Sequence, residues 1–245
     1  MKNKVKISSI TCAYNEEAKI EELLKRLLNL DYLDEIVIVD NGSIDATHEI
    51  ILNTKKRYDT KNIIKIISIK KNIGLGFGLI KAIKNSTGDI VARIDGDLEY
   101  DPEDIQSVIQ PILDGLADAS YGSRMLIGHT HRVHYYYHYI GNRIITMLIN
   151  FLTNKNFSDV ATATKCVKGD LIRSLPLRAN KFNIDWEITL LLANRSAVFF
   201  EVPIKYHGRK YDEGKKVKTI DGINALLYII TKFLYLKIKP NRSKN

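Results

Sequence analysis

Short apolar runs alternate with amphipathic stretches through the first hundred residues. Residues 6–11 predict a strand, and Ile20, Leu23, Leu24, Leu27 and Leu28 recur at the helical period to form one face of a helix. Glu35-Ile-Val-Ile-Val-Asp40 predicts a second strand that ends in an acid. Residues 45–56 predict a helix, 63–69 a third strand, 74–85 a third helix and 90–94 a fourth strand. Asp101-Pro102 then opens another helix, with proline in its first turn. Strand–helix alternation with short apolar strands predicts a mainly parallel sheet covered by helices on both faces. In such folds ligands bind at the carboxyl ends of the strands. Three polar segments emerge there: Cys12-Ala13-Tyr14-Asn15-Glu16, Asp40-Asn41-Gly42-Ser43 and Asp95-Gly96-Asp97.

The last of these carries the most chemistry. Asp95 and Asp97, separated by one small residue and followed by Glu99, can reach one hard divalent cation from the same side. Gly96 gives a phosphate ligand room to approach. The cation expected is Mg²⁺ or Mn²⁺, held by Asp95, Asp97 and Glu99, because such ions bring substrate phosphates with them. The plainer alternative is an acidic helix start, with the carboxylates placed for the helix dipole. Tyr14 and Glu16, at the exit of the first strand, can hold a base and a ribose. Asp40 can accept from a base N–H, or it can cap the helix that Ser43 or Asp45 starts. Gly74 and Gly76 let backbone approach a ligand, or simply turn the chain into a helix.

The chain has 245 residues, of which 45% are apolar, enough for one large domain with a full core. Lys2 and Lys4 lead into a strand-like segment, so no secretory signal is expected. Cys12 and Cys166 lie far apart with no metal-ligand spacing, which suits a reducing cytosol and leaves only a single pairing open. The formal net charge is +9, and residues 207–245 hold ten Lys/Arg against three Asp/Glu. The same region contains an apolar run, 225–236, in which Ile223, Leu226, Leu227, Ile230, Phe233 and Leu234 fall at helical spacing. It is too short to span a bilayer but suits an interfacial helix with lysines beside it. Tyr135, Tyr136, Tyr137 and Tyr139 precede another apolar helix, 144–152, and tyrosine is favoured at water–lipid boundaries. A buried or dimer-forming helix is the alternative for each, so a homo-oligomer stays open. His129, His131, His134 and His138 are read as a polar loop and helix face rather than a metal site. No nucleic-acid module is recognisable, and no nucleic-acid partner is expected.

Taken together, the strand-end motifs resemble those of the inverting glycosyltransferases of family two, most closely the dolichyl- and polyprenyl-phosphate sugar transferases. That family's opening Pro-x-Tyr-Asn-Glu stands here as Cys12-Ala13-Tyr14-Asn15-Glu16, with Cys in place of Pro. Its Val-Asp-Asp-Gly-Ser-x-Asp-x-Thr stands as Val39-Asp40-Asn41-Gly42-Ser43-Ile44-Asp45-Ala46-Thr47. Asn72-Ile73-Gly74-Leu75-Gly76 and Asp95-Gly96-Asp97-Leu98-Glu99 match two further motifs. Tyr121-Gly-Ser-Arg124, the segment 159–165, Phe182-Asn-Ile-Asp-Trp-Glu187, the segment 201–206 and the segment 209–216 complete a set that covers roughly residues 6–225.

The resemblance implies a GT-A type α/β fold over residues 1–218. A Rossmann-like nucleotide-sugar half would span 6–122 and an acceptor half 123–218, followed by a basic amphipathic segment, 219–245. It implies a metal-dependent hexosyl transfer, with inversion, from a GDP- or UDP-hexose to a polyprenyl phosphate. The donor would lie against Ala13, Tyr14, Glu16, Asp40, Gly74, Gly76, Asp95, Gly96 and Asp97. Arg124 and Arg209 match family arginines that hold phosphate, with Lys215 and Lys216 beside them. A further family arginine is displaced here, with Arg132 or His134 in its place. The implied location is cytoplasmic, peripheral at the inner face of the cell membrane.

An acceptor that is already an anion needs cations more than it needs a base. A hydroxyl acceptor on a glycan, peptide or small molecule would instead require a carboxylate base, and Asp159 and Glu187 are the candidates. The catalytic set is therefore Asp97, Arg124, Asp159, Glu187 and Arg209. A non-catalytic binding module on the same fold is a third class, disfavoured by the intact acids and arginines.

Overall fold

The computed structural model of the protein describes residues 4–128, 135–208 and 219–238. Seven strands form one sheet in the order β3-β2-β1-β4-β6-β5-β7. The first half is a parallel array of β1 (Ile7–Ala13), β2 (Glu35–Asp40), β3 (Ile64–Ser68) and β4 (Ile90–Arg93). Every residue of β1 and β4 is buried, as expected of strands covered on both faces. Their side chains alternate between two cores. Ile10, Cys12, Val37, Val39 and Val91 point to one, and Ala13, Ile36, Ile38, Ile90 and Ala92 to the other.

Helices α1 (Ile20–Leu28), α2 (Thr47–Tyr58) and α3 (Leu75–Asn85) connect these strands. In α1 the expected face holds: Ile20, Leu23, Leu24 and Leu27 are fully buried, acids occupy the first turn and Lys25 and Arg26 the last. Helix α3 lies close on β1, because a Cβ at Gly78 would stand 2.2 Å from the Cys12 sulfur. The helix opened at Asp101-Pro102 starts as a 3₁₀ turn, Pro102–Asp104, and continues as α4 (Ile105–Leu113).

The second half mixes directions. β6 (Lys165–Lys168) runs antiparallel between β4 and β5 (Ala119–Ser123), and β7 (Phe199–Pro203) pairs parallel to β5 at the sheet edge. Helices α5 (Tyr136–Thr153), α6 (Gly169–Arg173), α7 (Ile184–Asn194) and α8 (Thr219–Ile238) are the remaining helices among the described residues. The chain crosses from β3 back to the far side of β1 to place β4, so the order reverses between β1 and β4. The crevice at their carboxyl ends is where such sheets bind ligands.

The apolar stripe expected along the last helix is divided in the structure. Ala225, Ile229 and Leu236 are buried, and Leu226 and Phe233 pack partly against the core, whereas Leu227, Ile230 and Leu234 are exposed. The helix therefore docks on α5 and α7 by one face and shows apolar side chains on another. Among the described residues no helix is long and apolar enough to cross a membrane. Cys12 and Cys166 are both free and buried.

Candidate active site

The exits of β1 and β2 are sewn together. Asn15, at φ 54°, accepts from the Ile44 N–H through its side chain and donates its own N–H to Ser43 Oγ at 3.1 Å. The Glu16 N–H donates to Thr47 Oγ1 at 2.8 Å. Asp40 is buried; its Oδ1 accepts the Ser43 N–H at 3.0 Å and its Oδ2 lies 2.9 Å from His48 Nδ1. One oxygen of Asp40 therefore holds the turn at Ser43 but does not cap the helix, which starts at Thr47 with no side-chain cap. His48 stands where Asp40 faces outward, a contact with no sequence signal beyond its place at the start of a helix. The neighbouring Asn41 donates to Asn72 Oδ1 at 3.1 Å and ties this exit to the loop before α3.

Asp95 follows β4 and rests on a buried charge network. Arg93 Nη2 donates to Asp95 Oδ1 at 3.0 Å, and Arg93 Nη1 pairs with Asp185 on α7. Lys165 Nζ donates to the same Asp185 oxygen at 3.0 Å. Burial works against the charge on each partner, but the mutual attraction of Arg93 and Asp185 raises the arginine pKa and lowers that of the carboxyl. Arg93 went unread as a site residue because it sits inside a strand-like run, and Lys165 because its partner Asp185 is 20 residues further on.

Asp97 Oδ1 accepts the Glu99 N–H at 3.1 Å, and Glu99 Oε2 accepts from the Tyr206 hydroxyl at 2.5 Å. Among the described residues no three His, Cys, Asp or Glu side chains are grouped to hold a metal ion. The expected convergence of Asp95, Asp97 and Glu99 on one ion is thus not assembled: Asp95 is turned to Arg93 and Glu99 to Tyr206. Gly96 is buried, yet a Cβ there would make only ordinary contacts, the nearest at 3.7 Å with Ala13 and Thr11. The protein itself does not demand glycine at that position.

Arg124, just after β5, is buried against Asp159. Its Nε donates to Oδ2 at 2.7 Å and its Nη2 to Oδ1 at 2.8 Å, a two-pronged pair reinforced by the Arg124 N–H at 3.1 Å. The guanidinium stacks over the Tyr206 ring, 5.0 Å from its centre, and Nη1 makes no hydrogen bond among the described residues. Tyr206 thereby joins the acidic segment to the cation. Burial alone would raise the Asp159 pKa, but Arg124 more than offsets it and holds the carboxyl below the usual range. Both oxygens of Asp159, one of the two candidate bases, are thus engaged by Arg124.

Glu187, the other candidate base, is also fully engaged. It is fully buried on α7; Oε2 accepts the N–H groups of Arg178 and Ala179, both at 2.8 Å, and Oε1 pairs with Lys232 Nζ of α8 at 2.5 Å. Gly74 and Gly76 have a structural cause too. A Cβ at Gly74 would fall 2.3 Å from the Asn180 carbonyl oxygen, and one at Gly76 2.0 Å from that of Ala179. The backbone they admit belongs to the protein's own 178–181 loop. Tyr14 and Ala13 stand at the β1 exit as expected. Arg132, His134, Arg209, Lys215 and Lys216 lie outside the described residues.

A Rossmann-like parallel half, an inserted antiparallel strand and acids at the β1/β4 switch point define a GT-A type nucleotide-sugar-binding fold. The chain belongs to glycosyl transferase family 2, whose pattern matches residues 8–173. A dolichol-phosphate mannosyltransferase of Pyrococcus furiosus is 30% identical over 236 residues, which cover 94% of this chain and 64% of that protein. The chain thus spans a little under two thirds of that relative's length. A UDP-N-acetylglucosamine–dolichyl-phosphate N-acetylglucosaminyltransferase of Methanococcus voltae is 27% identical over 89% of this chain and 92% of its own. Among solved structures, the glucosyl-3-phosphoglycerate synthase of Mycobacterium tuberculosis, bound to Mn²⁺, UDP and glucosyl-3-phosphoglycerate, superposes with a TM-score of 0.71. It is 18% identical, with 93% of this chain and 80% of that chain covered, a likeness of fold.

Proposed function

We propose that the protein transfers a hexose, with inversion, from a nucleotide sugar to a polyprenyl phosphate at a membrane surface. One observation carries the reading most directly. Tyr206 holds Glu99 by its hydroxyl and Arg124 by its ring, so the acidic segment and a buried cation share one wall. An acid side for a metal-bound diphosphate and a cation side for a phosphate acceptor would thus face each other across a short distance. The relatives named for dolichyl-phosphate acceptors support the same choice.

The oxygen-only donor set of Asp95 and Asp97 suits Mg²⁺ or Mn²⁺. When bound, such an ion would neutralise the charge that develops on the departing diphosphate. Asp97 would hold it, while Arg93 keeps Asp95 oriented beneath. The rest of the task falls to the chain. The β1 and β2 exits, with Tyr14, Glu16 and Asp40, would seat the nucleoside. Arg124 Nη1 would hold a phosphate oxygen, with Arg209, Lys215 and Lys216 as further cations. Both candidate base carboxylates, Asp159 and Glu187, are paired with cations, which favours an acceptor that arrives ionised. The exposed apolar faces of α5 and α8 and the basic chain end would rest on the inner leaflet without crossing it.

The test is direct. Labelled UDP- and GDP-hexoses, Mg²⁺ or Mn²⁺ and a polyprenyl phosphate are incubated with the protein, and β-linked label is sought in the lipid phase. Transfer to a soluble hydroxyl acceptor instead, or an α-linked product, would overturn the reading.

A further inference from the structure

The C-terminal helix reaches the donor side through one buried carboxylate. Glu187 has no solvent exposure, and a carboxylate in that position persists only with partners for its oxygens. Oε2 gathers two consecutive backbone N–H groups, those of Arg178 and Ala179, into a fixed turn. Oε1 is satisfied by Lys232, whose side chain is 13% exposed and which comes from α8, the last helix described. The burial of Tyr228 and its closeness to Glu187 raise the phenol pKa, which marks a second side chain of α8 at the same carboxylate.

The turn so held does not end in solvent. The Asn180 carbonyl accepts the Phe77 N–H at 3.2 Å, at the first turn of α3. The Ala179 and Asn180 carbonyls occupy the space that side chains at Gly76 and Gly74 would fill. The start of α3 is in turn tied to the β2 exit, since Asn41 donates to Asn72 and a Cβ at Gly42 would stand 2.6 Å from the Asn72 nitrogen. A chain of side-chain and backbone contacts therefore runs from α8 through Glu187 and the 178–181 loop to the loops beside Asp40. The neighbouring turn of α7 also carries Asp185, which holds Arg93 and through it Asp95.

We propose that Lys232 and Glu187 are positioning residues for the nucleotide side: docking of α8 sets the 178–181 loop, and the loop sets the glycine turn at the start of α3. Docking of α8 would then set nucleotide affinity without any α8 side chain touching the ligand. This rests on reading the β1/β2 exits as the nucleotide side.

The experiment uses the full chain and Lys232→Met, which keeps the apolar stem and removes the ammonium. Amide hydrogen exchange is followed at Arg178 and Ala179, and binding of UDP and of GDP with Mn²⁺ is measured by calorimetry. Lys232→Met should speed exchange at those amides at least tenfold, leave α1 unchanged, and weaken the bound nucleotide at least threefold. Lys232→Arg should restore both. Removing one partner of a buried pair can unfold a protein. If it does so here, Glu187→Gln/Lys232→Met, which leaves no charge unpaired, takes its place with the same readouts expected. A folded variant with wild-type exchange at 178–181 and wild-type nucleotide affinity overturns the inference. Faster exchange with unchanged affinity overturns its nucleotide half. A wild-type protein that binds neither nucleotide overturns the functional reading itself, whatever the exchange shows.

Discussion

Arg124 and Asp159 meet edge to edge, with Nε 2.7 Å from Oδ2 and Nη2 2.8 Å from Oδ1, and both are buried. The pair decides between two roles for Asp159. A catalytic base could be changed to its amide with little loss of stability and a large loss of rate. A structural partner of a buried arginine could not, because Arg124 would be left uncompensated. Asp159→Asn should therefore destabilise the protein by about 3–5 kcal/mol. Urea unfolding followed by circular dichroism measures it. A variant as stable as the wild type but inactive would return Asp159 to the role of base.

The same pairing sets a pH dependence. Asp159 and Asp185 both titrate below the ordinary carboxylate value of 3.8 in the folded protein, held there against burial by Arg124 and by Arg93 with Lys165. A depressed native pKa adds stability that is complete well above the unfolded value and is lost as pH falls through the native one. These two groups should leave the urea midpoint flat above about pH 5 and draw it down as pH falls below 3.8 toward their native values. Titrating the midpoint for the wild type and Asp159→Asn should show a shallower acid slope in the variant. Equal slopes would contradict the assignment.

The glycines give a paired test. A methyl group at Gly76 would collide with the Ala179 oxygen at 2.0 Å, whereas one at Gly96 would meet only ordinary contacts at 3.7 Å. Gly76→Ala should cost about 1–3 kcal/mol through overpacking. Gly96 is buried too, but a methyl group there makes only ordinary contacts, so Gly96→Ala should cost clearly less than Gly76→Ala. If a diphosphate passes beside Gly96, that stable variant should nonetheless lose UDP or GDP affinity. Unchanged affinity in Gly96→Ala would place the diphosphate elsewhere.

The parallel half of the fold was legible because its strands are apolar throughout and its first helix keeps a strict apolar face. β6 was not. Its sequence, Lys165-Cys-Val-Lys168, has polar ends, and Lys165 is buried only because Asp185 receives it from α7. The acids and Arg124 were also legible as chemistry, though their partners were not. Arg124 and Asp159 are 35 residues apart, Glu187 and Lys232 45, and Arg93 and Asp185 92. Local periodicity carries no information on such pairings. Hence Asp159 and Glu187 read as spare carboxylates, and the glycines of the 74–76 turn as a ligand cradle, when the fold fills each with a neighbour distant in sequence.

Asp97 offers the test of metal dependence. Asp97→Ala should lower transfer at least ~10²-fold, the scale of removing one charge-stabilising group. It should also abolish the Mn²⁺ dependence of UDP or GDP binding. Circular dichroism of the variant, expected to match that of the wild type, separates this loss from unfolding; the Glu99 N–H bond that Asp97 accepts lies within its own loop. Calorimetry with and without a chelator measures the metal dependence. Wild-type binding that is indifferent to the chelator would remove the metal from the mechanism.

The membrane reading rests on side chains that the fold leaves outside. Tyr137 and Phe151 of α5 are 87% and 85% exposed, and Leu227, Leu234 and Ile238 of α8 are 59%, 52% and 79% exposed. The two helices pack on one another, and the basic chain end follows α8. Apolar insertion and attraction to anionic lipid should act together there, with different responses to salt. The electrostatic part is screened over about 10 Å at 0.1 M salt, while the apolar part is not. Flotation with anionic vesicles should therefore show binding that falls, but does not vanish, as salt is raised. Phe151→Glu with Leu234→Glu should abolish the salt-resistant fraction, and neither change should disturb the core because neither side chain is buried. If the doubly substituted protein floats as the wild type does, these faces are not the lipid contact. If it fails to float yet transfers sugar to a short, water-soluble polyprenyl phosphate at the wild-type rate, they act only to bring the enzyme to its acceptor.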